Sequence, residues 1–390
     1  MKILFITSSL PFPIHKDGVS LIDNRLLSNA TADMEVDMIS IGEEKHQDID
    51  SLKATAPRLQ RIFCVKNTET WFSKLLNFIS VFIYGKALVK NRHLHKTLRQ
   101  LLQTSSYDMI YASRFPLIYE LAGIKKMPPL FLNAIDSYSM LCSSIYEKNG
   151  RFREKAKYIF YRRSEKKLLK YATCVNFVSF EDAKYIKSIT KHKNIQNITL
   201  GIDSKLFFRR LDIEKINNSL LFSGNFAYQP NFDTAKYVAQ ELFPVICQKH
   251  PEAKLYIVGK NPPPIQPDKR IVVTGFVEDI SEWYNKTTVF LSPLLHGAGV
   301  KNKILEALAC GLPVVASSIA VSGISGLVNE EHFLLADTST EQVQAVERLL
   351  SCSSLREKLS ENAQSFIQTN YNWDKQVQLY YSEFNTVVKK

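Results

Sequence analysis

The feature that most constrains the fold is an alternation of short apolar runs with longer segments whose apolar residues have helical spacing. The short runs are almost continuously aliphatic, which is typical of parallel strands buried on both faces. Strands that alternate with helices predict βαβ units and a doubly wound α/β fold. The predicted strands cover residues 2–7, 35–40, 61–65, 109–113, 130–134, 174–179, 219–224, 254–259, 270–275, 289–293 and 313–317. The predicted helices cover residues 19–32, 86–103, 152–171, 181–190, 231–249, 301–310 and 340–369.

The length of the chain indicates more than one domain. It has 390 residues, which is longer than one ordinary hydrophobic core supports. Residues 200–218 lack a clear period and carry the charge of a linker, so we place the domain boundary there. Two doubly wound domains of similar size would face each other across a cleft, and such domains bind ligands beyond the carboxyl ends of their strands.

Charge and cysteine usage narrow the class of protein. The formal charge of +12 predicts an anionic partner or surface. No recognition motif accompanies the basic residues, so we do not predict nucleic acid as that partner. The six cysteines are widely spaced without a CxxC pair, a pattern that favours a reduced cytosolic protein over a disulfide frame or a zinc site. The apolar start reads as a buried first strand rather than a signal peptide, because no small-x-small cleavage site follows it.

The stretch SPLLHGAGVKNKILEALACGLPVVAS, residues 292–317, combines a strand end, a glycine loop and a helix start. Unpaired N–H groups and the positive end of the helix dipole attract anions at such a place. Lys301 and Lys303 add charge where basic residues disfavour a bare helix, which predicts a bound anion, most simply a phosphate. Glu306, one turn further along, is a candidate to accept hydrogen bonds from sugar hydroxyls. The alternative is a plain βαβ crossover whose glycines only shape the turn and whose lysines are solvated.

The same stretch resembles the donor-binding segment of GT-B glycosyltransferases, specifically the large retaining family four, or glycosyl transferases group 1. Further resemblance spans nearly the whole chain and is densest from about residue 197 onward. It implies an acceptor-binding domain over 1–200, a nucleotide-sugar donor-binding domain over 201–370 and a C-terminal helix over 371–390 that crosses back to the first domain. The segments that carry it include MKILFITSSLPFPIHKDGVS (1–20), CVNFVSFEDAKYI (174–186), NITLGIDSKLF (197–207), LLFSGNFAYQPNFDTA (220–235) and NWDKQVQLYYSEF (372–384).

The resemblance also implies an activity. A sugar would pass from a nucleotide-sugar to a glycan or polyprenyl-linked acceptor with retained anomeric configuration, in surface polysaccharide or O-antigen-type biosynthesis. Backbone N–H groups near Gly299 and Val300, together with Lys301, would stabilise the departing diphosphate as preorganised electrostatics. No bound metal or other cofactor is then expected. A nucleotide-sugar epimerase or phosphorylase of the same architecture, and a non-catalytic GT-B binding module, remain open as alternatives.

Two departures from the family concern the donor site. Family members commonly carry two glutamates with seven residues between them, and Glu306 matches the second, which binds the ribose of the nucleotide. The first position is Ala298 by counting, whereas the flanking glycines favour His296 as its equivalent. The family often has an arginine and a lysine on the loop after the first donor-domain strand, and this loop has neither, so we expect Lys301 to supply the charge, with Lys303 as a second candidate. The predicted donor-binding residues are Gly224, Asn225, His296, Gly297, Ala298, Gly299, Val300, Lys301 and Glu306.

The acceptor-side candidates lie in the first half of the chain. Asp136 follows a predicted strand in FLNAIDSYS, residues 131–139, where the family often has a polar residue near the reacting carbons. It is a candidate to orient or deprotonate the acceptor hydroxyl, and equally a candidate N-cap of the next helix. Gly18 matches the glycine loop that lies over the acceptor in the family, with an ordinary turn glycine as the alternative. Asp136, Lys301 and Glu306 are the predicted catalytic residues.

One Asp-x-Asp tripeptide, Asp48 to Asp50, has the composition of a divalent cation site. It lies in the polar segment GEEKHQDIDSLK after a predicted strand, which favours a solvated loop. We therefore expect no metal there.

Residues 148–170 carry ten basic residues against two acidic ones, interleaved with aromatic side chains. With the apolar segment 71–85, they would dock the first domain on an anionic membrane leaflet, as a lipid-linked acceptor requires. The apolar part is too short to span a bilayer, which needs about 20 residues. We therefore expect a cytoplasmic protein with peripheral contact to the inner face of the cell membrane, and the alternative is a solvated helix face.

Overall fold

The computed structural model describes residues 1–13, 18–42, 46–68, 70, 76–77, 80, 89–296 and 299–389, with the backbone only at 148 and 149. The strands are β1 (Lys2–Thr7), β2 (Glu35–Ile41), β3 (Leu59–Val65), β4 (Met109–Ser113), β5 (Leu130–Ile135), β6 (Cys174–Phe177), β7 (Ile195–Gln196), β8 (Ser219–Ser223), β9 (Lys254–Val258), β10 (Ile271–Gly275), β11 (Val289–Ser292), β12 (Val314–Ala316) and β13 (Leu334–Leu335).

The helices alternate with these strands. They are α1 (Gly18–Ser28), α2 (His46–Thr55), α3 (Arg92–Thr104), α4 (Leu117–Leu121), α5 (Tyr138–Asn149), α6 (Phe152–Leu168), α7 (Phe180–Ile189), α8 (Gln229–Tyr237), α9 (Phe243–Lys249), α10 (Ile280–Lys286), α11 (Asn302–Ala309), α12 (Ser318–Val321), α13 (Ser339–Ser351), α14 (Ser353–Asn370) and α15 (Trp373–Val388). In the part of the chain that the structure describes, no helix is long and apolar enough to cross a membrane.

The chain divides into two compact units, one of Met1–Leu200 with Asp374–Lys390 and one of Gly201–Trp373. The first holds a seven-stranded parallel sheet in the order β3-β2-β1-β4-β5-β6-β7, and the second a six-stranded parallel sheet in the order β10-β9-β8-β11-β12-β13. Both orders reverse direction beside their central strand, which is the signature of a doubly wound sheet. The predicted fold class is confirmed for each unit.

Aromatic packing explains why the last helix belongs to the first unit. The ring of Phe384 on α15 lies 4.9 Å from that of Phe131 and 5.8 Å from that of Tyr111. Asn176 donates a hydrogen bond of 2.9 Å to the buried hydroxyl of Tyr380, also on α15. Burial of such large side chains stabilises by roughly 2–3 kcal/mol each, so α15 completes the core of the first unit.

Helix α11 ends as its sequence predicts. The expected apolar stripe is buried, with Ile304, Leu305 and Leu308 fully covered. Gly311 then adopts φ +69°, and Leu312 N–H donates to Ala307 O at 3.0 Å, which is the Schellman arrangement. A side chain at residue 311 would be strained in this left-handed conformation.

Some predicted elements differ from the observed ones. The single helix predicted over 340–369 is two helices separated at Cys352, where Cys-Ser-Ser competes poorly for helix formation. The helix over 231–249 is interrupted by a π-helical turn, Val238–Leu242, before Pro244, which lacks the N–H that a regular helix needs. The two-residue strands β7 and β13 are too short for an apolar pattern to reveal.

The prediction of a loop around Asp48 and Asp50 is wrong, because both residues lie in α2. Asp48 is in the first turn of that helix, where a carboxylate interacts favourably with the helix dipole. The segment lacks the long apolar stripe by which a helix is usually recognised, and Leu52 is its one buried residue.

Candidate functional site

The residues predicted around the glycine loop lie at the carboxyl ends of β8 and β11, which are neighbours in the second sheet. Gly224 and Asn225 follow β8, whereas His296, Gly299 and Val300 follow β11. Gly297 and Ala298 lie outside the described residues. In doubly wound sheets this is the edge at which ligands bind.

The start of α11 has the predicted form of a strand, a glycine loop and a helix start. Gly299 adopts φ +74°, and Lys301 takes the extended N-cap position. Its side chain is 9% exposed, and its ammonium group donates to Gly299 O at 2.6 Å rather than lying free in solvent. Among the described residues the Lys301 side chain does not cap α11. The first N–H groups of the helix are therefore suited to an anion.

Lys303 reaches the loop that lacks basic residues of its own. Its Nζ atom donates to Ser223 O at 3.2 Å and to Asn231 Oδ1 at 2.9 Å, and it lies 4.3 Å from the centre of the Phe222 ring. Burial, together with the nearby charge of Lys301, lowers the pKa of the Lys303 ammonium to about 7. The ammonium group thus connects α11 with the end of β8 and the start of α8.

Glu306 lies one turn after Lys303 on α11. It is half-buried, and its Oε2 accepts a hydrogen bond of 3.0 Å from the hydroxyl of Tyr284. Burial raises the pKa of the Glu306 carboxyl to about 7, against the lowering effects of Tyr284 and Lys303. The Tyr284 hydroxyl also lies 3.1 Å from Ser223 Oγ.

His296, the candidate for the missing first glutamate, is paired with a carboxylate. Its Nε2 lies 2.9 Å from Asp233 Oδ2, and both side chains are about one-third exposed. Gln229 at the start of α8 donates to the other Asp233 oxygen at 2.8 Å. A carboxylate held against one ring nitrogen orients an imidazole and fixes which nitrogen carries the proton.

The loop after β8 depends on close backbone contact. A Cβ atom on Gly259 would lie 1.8 Å from Gly224 O, so no side chain fits there. Asn231 Nδ2 donates to Asn225 O at 2.9 Å, and Ala227 N–H donates to Asn225 Oδ1 at 3.1 Å. Gly224 and Asn225 therefore shape the loop through their backbone and short side chain.

The first unit places Asp136 directly after β5, in a turn with unusual backbone geometry. Ile135 has φ +74°, a conformation that a β-branched residue rarely adopts. Ser137 is the N-cap of α5, and its side chain accepts a hydrogen bond of 3.2 Å from Met140 N–H. The capping role considered for Asp136 is therefore wrong, because the next residue performs it.

Two buried carboxylates support this turn from other helices. Glu165 on α6 is fully buried and accepts hydrogen bonds from Ser137 Oγ at 3.1 Å, from Ser139 N–H at 3.3 Å and from Ser139 Oγ. Asp182 on α7 accepts a bond of 3.1 Å from Ser137 N–H. Burial raises the pKa of each carboxyl to about 7, and for Asp182 the charge of Asp136 adds to the effect.

Gly18 is the first residue of α1 rather than the centre of a described loop. Residues 14–17, which precede it, lie outside the described residues. Within the part of the chain that the structure describes, no group of three or more His, Cys, Asp and Glu side chains is placed to hold a metal ion.

Sequence reasoning missed several residues of this region. Tyr284, Asn231, Asp233 and Gly259 reach the site from three other elements or loops, at distances of 22 to 72 residues along the chain from the predicted residues that they contact. Of these residues only Gly259, directly after β9, could be recognised in the sequence, as a glycine that ends a strand.

Part of the chain matches a known protein family. Residues 217–352 match the family described as Glycosyl transferases group 1. A Klebsiella pneumoniae relative, named "Uncharacterized 44.6 kDa protein in cps region", is 22% identical over 395 residues, covering 95% of this chain and 96% of the relative. An uncharacterized glycosyltransferase of Methanocaldococcus jannaschii is 25% identical over 301 residues, covering 70% and 74% of the two chains.

Solved structures share the architecture over the full length. The crystal structure of Anabaena Alr3699/HepE in complex with UDP and glucose superposes with a TM-score of 0.68 at 15% identity, covering 99% of this chain and 100% of that one. The family match begins just before β8 and ends after α13, so it includes every residue of the second-unit site described above. Residues 217–352 therefore match the group 1 glycosyltransferases, and the chain has the GT-B fold of these solved structures.

Proposed function

We propose that this enzyme is a retaining glycosyltransferase that moves a sugar from a nucleotide-sugar to a glycan or lipid-linked acceptor in surface polysaccharide or O-antigen-type biosynthesis. The observation that carries the donor half of this proposal is the start of α11. There a strand and a glycine loop lead to N–H groups that no side chain caps among the described residues, and Lys301, Lys303 and Glu306 lie at the N-cap and in the first two turns. The likeness to a protein solved with UDP and glucose supports a nucleotide-sugar donor. The relative from a cps region supports polysaccharide assembly.

The donor phosphates would bind at the start of α11. When the bond between the anomeric carbon and the diphosphate breaks, the electron pair leaves with the phosphate oxygen. The N–H groups near Gly299 and Val300 and the charges of Lys301 and Lys303 would stabilise that developing charge. Lys303 would replace the arginine and lysine that family members often carry on the loop after β8, because its ammonium group already contacts the end of that strand. We further propose that these groups make a metal ion unnecessary.

The sugar portions of the donor would meet the other polar groups. Glu306 would accept hydrogen bonds from the ribose hydroxyls, as the second glutamate of the family does. His296 would bind a hydroxyl of the transferred sugar, with Asp233 holding its ring in one orientation.

The acceptor half of the proposal rests on Asp136 in the first unit. We propose that its carboxylate orients the acceptor hydroxyl or takes its proton as the oxygen bonds to the anomeric carbon on the face that the phosphate leaves. The strained turn and its two supporting carboxylates would hold Asp136 in a fixed position. Gly18 would lie near the acceptor.

We also propose that α6 contacts an anionic membrane leaflet. Phe152 at its first position is 81% exposed, and basic residues follow it along the helix. Binding of the protein to phosphatidylglycerol vesicles but not to phosphatidylcholine vesicles, with loss in Phe152→Ser, would support this. Equal binding to both vesicle types would contradict it. The apolar segment 71–85 lies mostly outside the described residues.

The test of the function is a transfer assay followed by NMR. The protein is incubated with nucleotide-sugars and lipid-linked or glycan acceptors, and the anomeric coupling constant of the product is compared with that of the donor. We expect transfer with retained configuration that survives a chelator. Conversion of the donor without an acceptor would indicate an epimerase, a need for free phosphate would indicate a phosphorylase, and absence of nucleotide affinity would indicate a non-catalytic module.

A further inference from the structure

A buried tyrosine hydroxyl joins the donor-side glutamate to the end of β8. Tyr284 on α10 is 1% exposed, its hydroxyl donates to Glu306 Oε2 at 3.0 Å, and the same oxygen lies 3.1 Å from Ser223 Oγ. The Tyr284 ring packs edge-on against Phe290 of β11 at 5.6 Å. The hydroxyl is thus fixed from both sides and has little freedom to move.

The groups around Glu306 explain why this hydrogen bond matters. Lys303 lies one turn before it on α11 and favours the charged carboxylate, whereas burial opposes the charge. Cys310 lies one turn after it, and the pKa of that thiol is raised by burial and by the Glu306 charge. Tyr284 is the group from a neighbouring helix that donates a hydrogen bond to the carboxylate.

We propose that Tyr284 is a positioning residue of the donor site, whose hydroxyl, anchored by Ser223, holds the Glu306 carboxylate in the orientation that receives the ribose hydroxyls. The inference rests on the proposed role of Glu306 in binding the nucleotide. Tyr284 is 1% exposed, so it would act through the Glu306 carboxylate and not by contact with the ligand.

A dependence on pH follows from this arrangement. The Glu306 carboxyl has a pKa of about 7, and its ionised form offers both oxygens as acceptors, whereas the protonated form turns one of them into a donor. The Tyr284 bond lowers that pKa, so its removal raises the pKa further. Ribose recognition therefore strengthens as the pH rises through about 7, and loss of the hydroxyl moves this transition to higher pH.

The experiment compares nucleotides with and without ribose hydroxyls. Dissociation constants are measured calorimetrically from pH 6 to 9 for UDP, GDP, ADP and CDP and for their 2′,3′-dideoxy counterparts. The ratio of the two constants isolates the ribose contacts, because ionisation of the phosphates cancels. The variants are Tyr284→Phe, Ser223→Ala and Glu306→Ala. Tyr237→Phe is the matched control, since its hydroxyl bonds to Gln342 at 2.8 Å elsewhere in the same unit.

We expect the wild type and Tyr237→Phe to prefer the ribonucleotide by about tenfold or more, and Glu306→Ala to lose the preference. Tyr284→Phe should retain only a few-fold preference, with its transition displaced to higher pH, and Ser223→Ala should fall between. If Tyr284→Phe does not fold, Ser223→Ala provides the same comparison.

The possible failures are distinguishable. If no nucleotide binds the wild type, the proposed function fails and the inference with it. If nucleotides bind but Glu306→Ala keeps the ribose preference, the assigned role of Glu306 is wrong. If Glu306 matters but Tyr284→Phe and Ser223→Ala match the wild type in preference and pH dependence, Tyr284 only fills space, and the inference is overturned.

Discussion

Two regions of the molecule hold a glutamate whose pKa is raised to about 7, and they hold it differently. Glu306 in the second unit is half-buried and has a lysine one turn away and a tyrosine hydroxyl against it. Glu165 in the first unit is fully buried, and its hydrogen-bond donors are the neutral groups of Ser137 and Ser139. Glu306 is partly exposed, whereas Glu165 is enclosed by the structure it supports.

The difference in burial between Glu306 and Glu165 distinguishes a carboxylate that can bind a ligand from one that supports the fold. A partly buried carboxylate has lost some of its hydrogen bonds to water, and a ligand can supply part of what is missing. Complete burial requires the protein to supply all of it, so the enclosed carboxylate fixes a turn and has no access to substrate. A raised pKa alone therefore identifies neither a catalytic nor a binding group, and the partners and the exposure decide.

The largest effect that sharpens this comparison concerns the backbone of the second unit. Gly259→Ala places a Cβ atom 1.8 Å from Gly224 O, so the loop after β8 has to move. We expect the unfolding free energy of that unit to fall by more than about 4 kcal/mol. Gly123→Ala in the first unit is the matched control, because its φ is +80° with no atom within 4 Å of the new Cβ, and it should cost about 1–2 kcal/mol. Calorimetric unfolding of both variants measures the difference, and equal losses would contradict the close contact.

The next effect tests the enclosed carboxylate. Glu165→Ala leaves the buried donors of Ser137 and Ser139 without their acceptor, which should destabilise the first unit by about 3 kcal/mol. Glu35→Ala removes an exposed ion pair with Lys2 and should cost less than about 0.5 kcal/mol. Urea unfolding of the two variants provides the measurement. A loss as small for Glu165 as for Glu35 would mean that the turn holds itself.

A third effect concerns pH. Glu165 and Asp182 titrate near 7 in the folded protein but near 4 to 5 when unfolded, so the folded state binds more protons between these values. The unfolding free energy of the first unit should therefore fall as the pH rises from about 4.5 to 7, by up to about 1.4 kcal/mol per pH unit for each carboxyl. Glu165→Gln together with Asp182→Asn should flatten this slope. An unchanged slope in the double variant would assign the pH dependence to other groups.

The same comparison explains what the sequence could predict. The candidate donor-side residues could be proposed because residues 292–317 hold the glycine loop, both lysines and the glutamate in one stretch, and because a family resemblance covers it. The support of the Asp136 turn could not be found, since Glu165 and Asp182 come from two later helices that only the fold brings to Ser137. Tyr284 was missed for that reason, as its partners are 22 and 61 residues away.

The fold itself was predictable because nearly continuous aliphatic strands leave few alternatives to a parallel sheet. Helices with weak apolar patterns, such as α2 and the short α12, escaped because their burial depends on neighbours from other parts of the chain. The domain assignments of donor and acceptor remain proposals, to be tested through their ligands.

The most direct test of the central claim, that the start of α11 binds a nucleotide-sugar, is the thermal stability of wild type and Lys301→Ala against uridine, guanosine, adenosine and thymidine diphosphates and their sugars. At about 100 times its dissociation constant a ligand stabilises by about 2.7 kcal/mol. We predict that one base class stabilises the wild type and that Lys301→Ala binds it about 1–3 kcal/mol more weakly. No response to any nucleotide, or an unchanged response in Lys301→Ala, would contradict the account.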